Sequence, residues 1–125
     1  MQLDNIKLYK TAHGNWWLPT TIPSDIIFQA MSQGKIFEAD IVNLAKKYIR
    51  PGTSVLDIGS NFGQMAILFS RYVGEKGKVY AFEADPYLCQ ILRKNIEENQ
   101  FHVWGPFVPR WVSTNQDEKG LYVLF

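Results

Sequence analysis

Two carboxylates, Asp57 and Glu83, stand where side-chain type and spacing point to chemistry. Each closes a short apolar run. Val55-Leu56-Asp57-Ile58 leads into the glycine-bearing stretch Gly59-Ser60-Asn61-Phe62-Gly63, and Lys78-Val79-Tyr80-Ala81-Phe82 ends on Glu83. In an open parallel α/β sheet, ligands collect outside the carboxyl ends of the strands, where both acids would project. Gly59 and Gly63 permit a tight turn and close packing of the following helix. Glu83 falls 20 residues beyond Gly63, the spacing at which an acid after a second strand accepts hydrogen bonds from ribose hydroxyls. The pair reads as a nucleoside-binding half-site.

The turn argues against a dinucleotide. A pyrophosphate fingerprint needs Gly-x-Gly-x-x-Gly, whose middle glycine lets the backbone reach the phosphates. Here two glycines flank Ser60, Asn61 and the bulky Phe62, and the Asp57 charge would repel a pyrophosphate. A nucleotide-dependent oxidoreductase is therefore disfavoured. A nucleoside with a positive end and no phosphate suits the site better, and S-adenosylmethionine, with its sulfonium, ammonium and two free ribose hydroxyls, meets that description.

The elements that must position these residues are set by periodicity and breakers. Residues 1–33 read as an N-terminal β arm: Ile6-Lys7-Leu8-Tyr9 alternates, Gly14-Asn15 signals a turn, and Trp16-Trp17-Leu18 is extended before Pro19. Ser24 and Asp25 cap a short helix running through Met31. Residues 34–125 read as a partial Rossmann-like domain. A helix over Glu38–Ile49 carries Ile41, Leu44, Ala45 and Tyr48 on one stripe and stops at Arg50-Pro51-Gly52. A second helix spans Gln64–Val73, with Met65, Leu68, Phe69 and Tyr72 at helical spacing. Asp85-Pro86 opens a third that runs to about Asn99 and buries Leu88, Ile91, Leu92 and Ile96. The alternation β-α-β-α marks a parallel sheet with helical crossovers. A further strand is expected around Phe101–Val108, interrupted by Pro106 and Pro109, and a last one at Leu121–Phe125.

The chain from about Gly34 to Asn99 resembles the N-terminal half of an FkbM-type S-adenosylmethionine-dependent methyltransferase. The likeness is carried by Gly34-Lys35-Ile36-Phe37-Glu38, by Val55 to Gly63, and by Gly77-Lys78-Val79-Tyr80-Ala81-Phe82-Glu83-Ala84-Asp85-Pro86, with Asn95-Ile96 closing the next helix. It implies an α/β, Rossmann-like methyltransferase fold and O-methylation of a hydroxyl on a saccharide or other small molecule. By the same resemblance Gly59, Ser60, Asn61, Phe62 and Gly63 line the methionine part of the cofactor. Asp57 fixes the loop or meets the ammonium through water, Glu83 holds the ribose, and Glu38 lies at the cofactor mouth. The resemblance also implies a seven-stranded sheet whose later loops build the acceptor pocket. The strand at Val55 would then be an edge, covered by a second copy or by a completing partner chain. No catalytic base is legible, and a non-catalytic nucleoside-binding or interaction module is the alternative reading.

Bulk properties narrow the class without choosing an acceptor. At 125 residues and a net charge of +1, the chain offers no general field for nucleic acid or an anionic membrane. One cysteine, Cys89, forms no internal disulfide and fits a reducing, cytoplasmic compartment. No apolar run is long enough to span a bilayer. His13 and His102 lack partners at ligand spacing, so no metal site is expected.

Overall fold

A computed structural model describes residues 3–100. Within them, β1 (Ile6–Thr11) and β2 (Gly14–Pro19) precede α1 (Ile26–Ser32) and α2 (Ala39–Tyr48). Next come β3 (Ser54–Ile58), α3 (Gln64–Val73), β4 (Lys78–Phe82) and α4 (Pro86–Glu98). The strands expected at 101–108 and 121–125 lie outside the described residues. The architecture is α/β, with a small parallel sheet flanked by helices and an antiparallel hairpin in front of it.

The helix boundaries obey capping chemistry. Asp25 accepts a hydrogen bond from the Phe28 N–H at 2.8 Å and starts α1. Asp85 accepts from the Tyr87 and Leu88 N–H groups at 2.8 and 2.9 Å and starts α4, with Pro86 just inside the first turn. Both satisfy amide groups that a helix start otherwise leaves unpaired.

β3 and β4 pair in parallel, Asp57 opposite Ala81 and Ile58 opposite Phe82. Because successive side chains alternate across a strand, Val55 and Asp57 share one face with Val79 and Ala81; α3 covers that face with Ala66 and Ile67, in one core with Ile91 and Leu92 of α4. Asp57 is thus the last residue of a core-facing row, which explains how an acid comes to be buried. Leu56 and Ile58 point the other way and are 63% and 77% exposed.

The hairpin turns two residues earlier than Gly14-Asn15. Thr11 pairs with Gly14, so Ala12-His13 form the turn and Gly14 opens β2. Gly14 is needed there for space, since a Cβ would stand 2.7 Å from the Trp16 ring. Trp16 and Leu18 then join Met31 and Phe62 in the core that also holds the α3 and α4 stripes. Each such burial is worth about 1.5–3 kcal/mol.

α4 seals the free edge of β2 with side-chain amides. The Trp17 N–H donates to Asn95 Oδ1 at 2.6 Å, and Asn95 Nδ2 donates to the Trp17 carbonyl at 3.0 Å. One helical turn later, the Asn15 N–H donates to Asn99 Oδ1 at 3.0 Å, and Asn99 Nδ2 returns to the Asn15 carbonyl at 2.8 Å. Two asparagines four residues apart share a helix face, and β2 presents the backbone of residues 15 and 17 on one edge, so the two spacings match. The helix acts as a third strand.

The α2 stripe is corrected by the packing. Ile41 and Leu44 are each 51% exposed and Tyr48 is 76% exposed, while Val42 is buried, with Ala45 and Ile49 packed against the core. The sequence contains two overlapping stripes that share Ala45, and periodicity alone does not say which one meets α3.

Candidate functional site

The site lies at the C-terminal tips of β3 and β4 and is built from the turn between β3 and α3. At its floor, the Gly59 and Ser60 N–H groups both donate to the Phe82 carbonyl, at 2.8 and 2.9 Å. The Ser60 hydroxyl donates to the Asp57 carbonyl at 2.8 Å and accepts from the Phe82 N–H at 3.1 Å. Ser60 therefore clamps one strand tip to the other. Its buried side chain is committed to that clamp, leaving its place in the turn rather than its hydroxyl to shape the crevice.

Asn61 takes the left-handed conformation, φ 52°, which asparagine tolerates better than most residues. Its N–H donates to Glu83 Oε2 at 2.8 Å, and its own side-chain oxygen accepts from the Phe62 N–H at 2.8 Å. The other Glu83 oxygen, Oε1, accepts from the Asp85 N–H at 2.9 Å. Glu83 is only 8% exposed, and both its oxygens are held by backbone donors. A carboxylate oxygen has two acceptor directions, so the group stays able to accept from a ligand while being fixed in place.

Asp57 is differently placed. It too is 8% exposed, but its Oδ2 is buried without a hydrogen-bond partner. Burial pushes its carboxyl above the usual carboxylate range. The Ser60 hydroxyl and the Ala66 N–H in the first turn of α3 work in the opposite direction, and the Glu83 charge adds to the rise. The two acids stand at the tips of paired, neighbouring strands. A buried, unpaired acceptor is costly, and a cationic group beside it would relieve that cost.

The two glycines serve separate ends of the turn. Gly59 has φ 79°, and nothing stands within 4 Å of the direction its Cβ would take, so the space above it is open. Gly63 has φ 98°, and a Cβ there would meet Leu92 Cδ1 at 2.6 Å. It brings α3 against α4 rather than against a strand. The Phe62 side chain is 1% exposed in the core, so it is the Phe62 backbone that borders the turn. The bulk expected to obstruct a pyrophosphate is directed inward. Glu38 is exposed at the start of α2, left-handed at φ 52°, with no capping bond from its side chain.

Sequence reasoning passed over Gln64, Asn95 and Cys89 as parts of the site's frame. Asn95 is fully buried and, besides its bonds to Trp17, donates to the Phe62 carbonyl at 2.8 Å, tying the glycine turn to α4. A polar residue inside the stripe Leu88, Ile91, Leu92 and Ile96 was the available signal. The Cys89 thiol donates to the Glu83 carbonyl at 2.8 Å, and burial pushes its pKa up to about 11, so it is a supporting donor and not a nucleophile. Among the described residues no three His, Cys, Asp or Glu side chains gather as a metal site, and no helix is long and apolar enough to cross a membrane.

The fold is that of S-adenosylmethionine-dependent methyltransferases. A tRNA m1G37 methyltransferase from M. jannaschii superposes with a TM-score of 0.55 at 16% identity, over 82% of this chain and 29% of its own. An S-adenosylmethionine-dependent O-methyltransferase from Thermotoga maritima gives 0.54 at 16% identity, over 86% and 50%. Among curated relatives, a probable cobalt-precorrin-6B C(15)-methyltransferase of Sulfolobus acidocaldarius is 41% identical over 61 residues, 49% of this chain and 32% of its own length. A protein-L-isoaspartate O-methyltransferase of Triticum aestivum is 30% identical over 80 residues, 64% of this chain and 35% of its own. The chain thus spans about a third of the length of these relatives.

These findings overturn the FkbM resemblance. Of the segments that carried it, Val55 to Gly63 and Gly77 to Pro86 build the paired strand tips and the glycine turn. The matching family profile is that of protein-L-isoaspartate(D-aspartate) O-methyltransferase, and it extends over residues 9–115, taking in the hairpin as well as the half-site. By that match the chain belongs to the protein-L-isoaspartate(D-aspartate) O-methyltransferase family.

Proposed function

We propose that this chain binds S-adenosylmethionine in the crevice between Asp57 and Glu83 and serves methyl transfer to a carboxylate acceptor. The observation that carries the reading is the pair of buried acids at neighbouring strand tips, one fully held and one with an unpaired oxygen. Glu83, fixed by the Asn61 and Asp85 N–H groups, suits two ribose hydroxyls. Asp57 Oδ2, buried and unpartnered, suits the ammonium end, directly or through one water. The open space above Gly59 admits a ligand close to the backbone, to be lined by the Gly59–Gly63 turn. Glu38, at the start of α2, stands ready for the mouth of that crevice.

When bound, the cofactor supplies an electrophilic methyl group whose transfer is an in-line displacement. What these residues contribute is position and charge: Glu83 and the turn orient the nucleoside, and the buried Asp57 carboxyl offsets positive charge. The saccharide or small-molecule hydroxyl expected from FkbM has lost its ground with that resemblance. The family supports a carboxyl acceptor instead, as the isoaspartate in its name indicates; in isoaspartate the chain runs through the β-carbonyl and the free group is the α-carboxyl. Such an acceptor is already ionised at neutral pH and needs no general base.

Calorimetric titration tests the reading. S-adenosylmethionine should bind and NAD should not, and both Asp57→Ala and Glu83→Ala should weaken binding by about tenfold or more. Silence toward S-adenosylmethionine would overturn it and leave a non-catalytic module.

A further inference from the structure

Gln64, the first residue of α3, is 6% exposed, although a helix of this kind usually turns its first polar side chain to solvent. Its carboxamide is paired both ways with one distant residue: the Phe37 N–H donates to Oε1 at 2.8 Å, and Nε2 donates to the Phe37 carbonyl at 2.9 Å. No other residue type supplies a donor and an acceptor at that reach. Glutamate would set an oxygen against the Phe37 carbonyl, and asparagine is one methylene too short.

The residue so held is the one before Glu38, whose left-handed backbone and uncapped side chain begin α2. Gln64 directly succeeds Gly63, the last residue of the cofactor turn. The turn that Gln64 follows leaves the tip of β3, the strand that carries Asp57, whereas Glu83 follows β4, so the bonded pair belongs to the Asp57 side of the site.

We propose that Gln64 is a positioning residue that latches the 34–38 segment over the methionine end of the cofactor crevice, setting affinity for the amino-acid part of S-adenosylmethionine and not for its nucleoside part. The inference rests on the proposed cofactor binding and goes beyond it by dividing the ligand between two sets of residues. Gln64 acts through the Phe37 backbone and touches no reacting atom.

The test compares Gln64→Met, Gln64→Glu and the unaltered full chain, titrated with S-adenosylmethionine and with 5′-methylthioadenosine, which keeps the nucleoside and lacks the amino acid. Both variants should bind S-adenosylmethionine about tenfold more weakly while holding 5′-methylthioadenosine as the unaltered chain does, and the Phe37 amide should exchange its hydrogen faster. A variant that merely unfolds would lose both ligands alike, and that result in both variants would overturn the division of labour. Undiminished S-adenosylmethionine affinity alongside faster Phe37 exchange would also overturn it, making the latch structural only. If the unaltered chain binds neither ligand, the cofactor reading itself falls and takes this inference with it.

Discussion

Asp57 is the residue whose ionisation the fold opposes and whose proposed role as partner of the cofactor's ammonium requires it. Its folded pKa is raised, chiefly by burial. Below the ordinary value of 3.8 the acid is protonated in folded and unfolded chains alike, and no penalty arises. As pH rises through the raised folded value, the unfolded chain ionises more easily, so folding stability is lost over that window and the loss is complete above it. Asp57→Asn keeps the shape without the charge. It should raise Tm at pH 7 by about 5 °C, with the gain fading toward about pH 4, as thermal denaturation across pH would record. The same variant should lose most S-adenosylmethionine binding and the decline in affinity on acidification that an ionised Asp57 imposes. A residue that costs stability unless a cation meets it is a common feature of binding sites.

At the scale of elements, the decisive join is between α4 and β2. Asn95 satisfies the Trp17 N–H, the Trp17 carbonyl and the Phe62 carbonyl with one carboxamide. Replacing it by leucine leaves the buried Phe62 carbonyl and the part-buried Trp17 N–H and carbonyl without these partners, and an unpaired backbone group is expensive in an apolar setting. Asn95→Leu should cost about 3 kcal/mol or more in urea denaturation. Asn99→Leu, at a side chain less buried than that of Asn95, should cost less. Asn95 was visible in the sequence as a polar interruption of an apolar stripe, but its partner Trp17 was not, because it lies 78 residues away on a backbone edge. The choice between the two stripes of α2 was likewise undecidable from spacing, since both obey the same period.

For the molecule as a whole, the hairpin and the crevice share one core. Trp16 and Leu18 from β2 pack in the same cluster as Phe62 from the turn and Ile91 and Leu92 from α4. The arm expected at residues 1–33 is therefore predicted to unfold together with the parallel sheet and its helices. Far-UV circular dichroism and tryptophan fluorescence should trace coincident denaturation curves, and a chain lacking residues 1–23 should show no cooperative transition. Two separate transitions would restore the arm as an independent unit. The family match, which begins at residue 9 inside β1, agrees with a hairpin that is integral to the domain.

The sequence by itself determined the parts that local physics controls. Breakers and caps set the helix limits, with Asp25 and Asp85 each capping a helix as their positions imply. The apolar runs ending on Asp57 and Glu83 located the strand tips, and the glycine spacing placed the turn between them. Tertiary structure alone decided what each side chain faces. Phe62 went to the core, Ser60 to a clamp between strands, Gln64 to the Phe37 backbone, and Asp57 Oδ2 to a buried place without a partner. The reason is physical: periodicity and capping act over one or two turns of chain, whereas burial and hydrogen-bond satisfaction are settled by groups distant in sequence that only folding brings together.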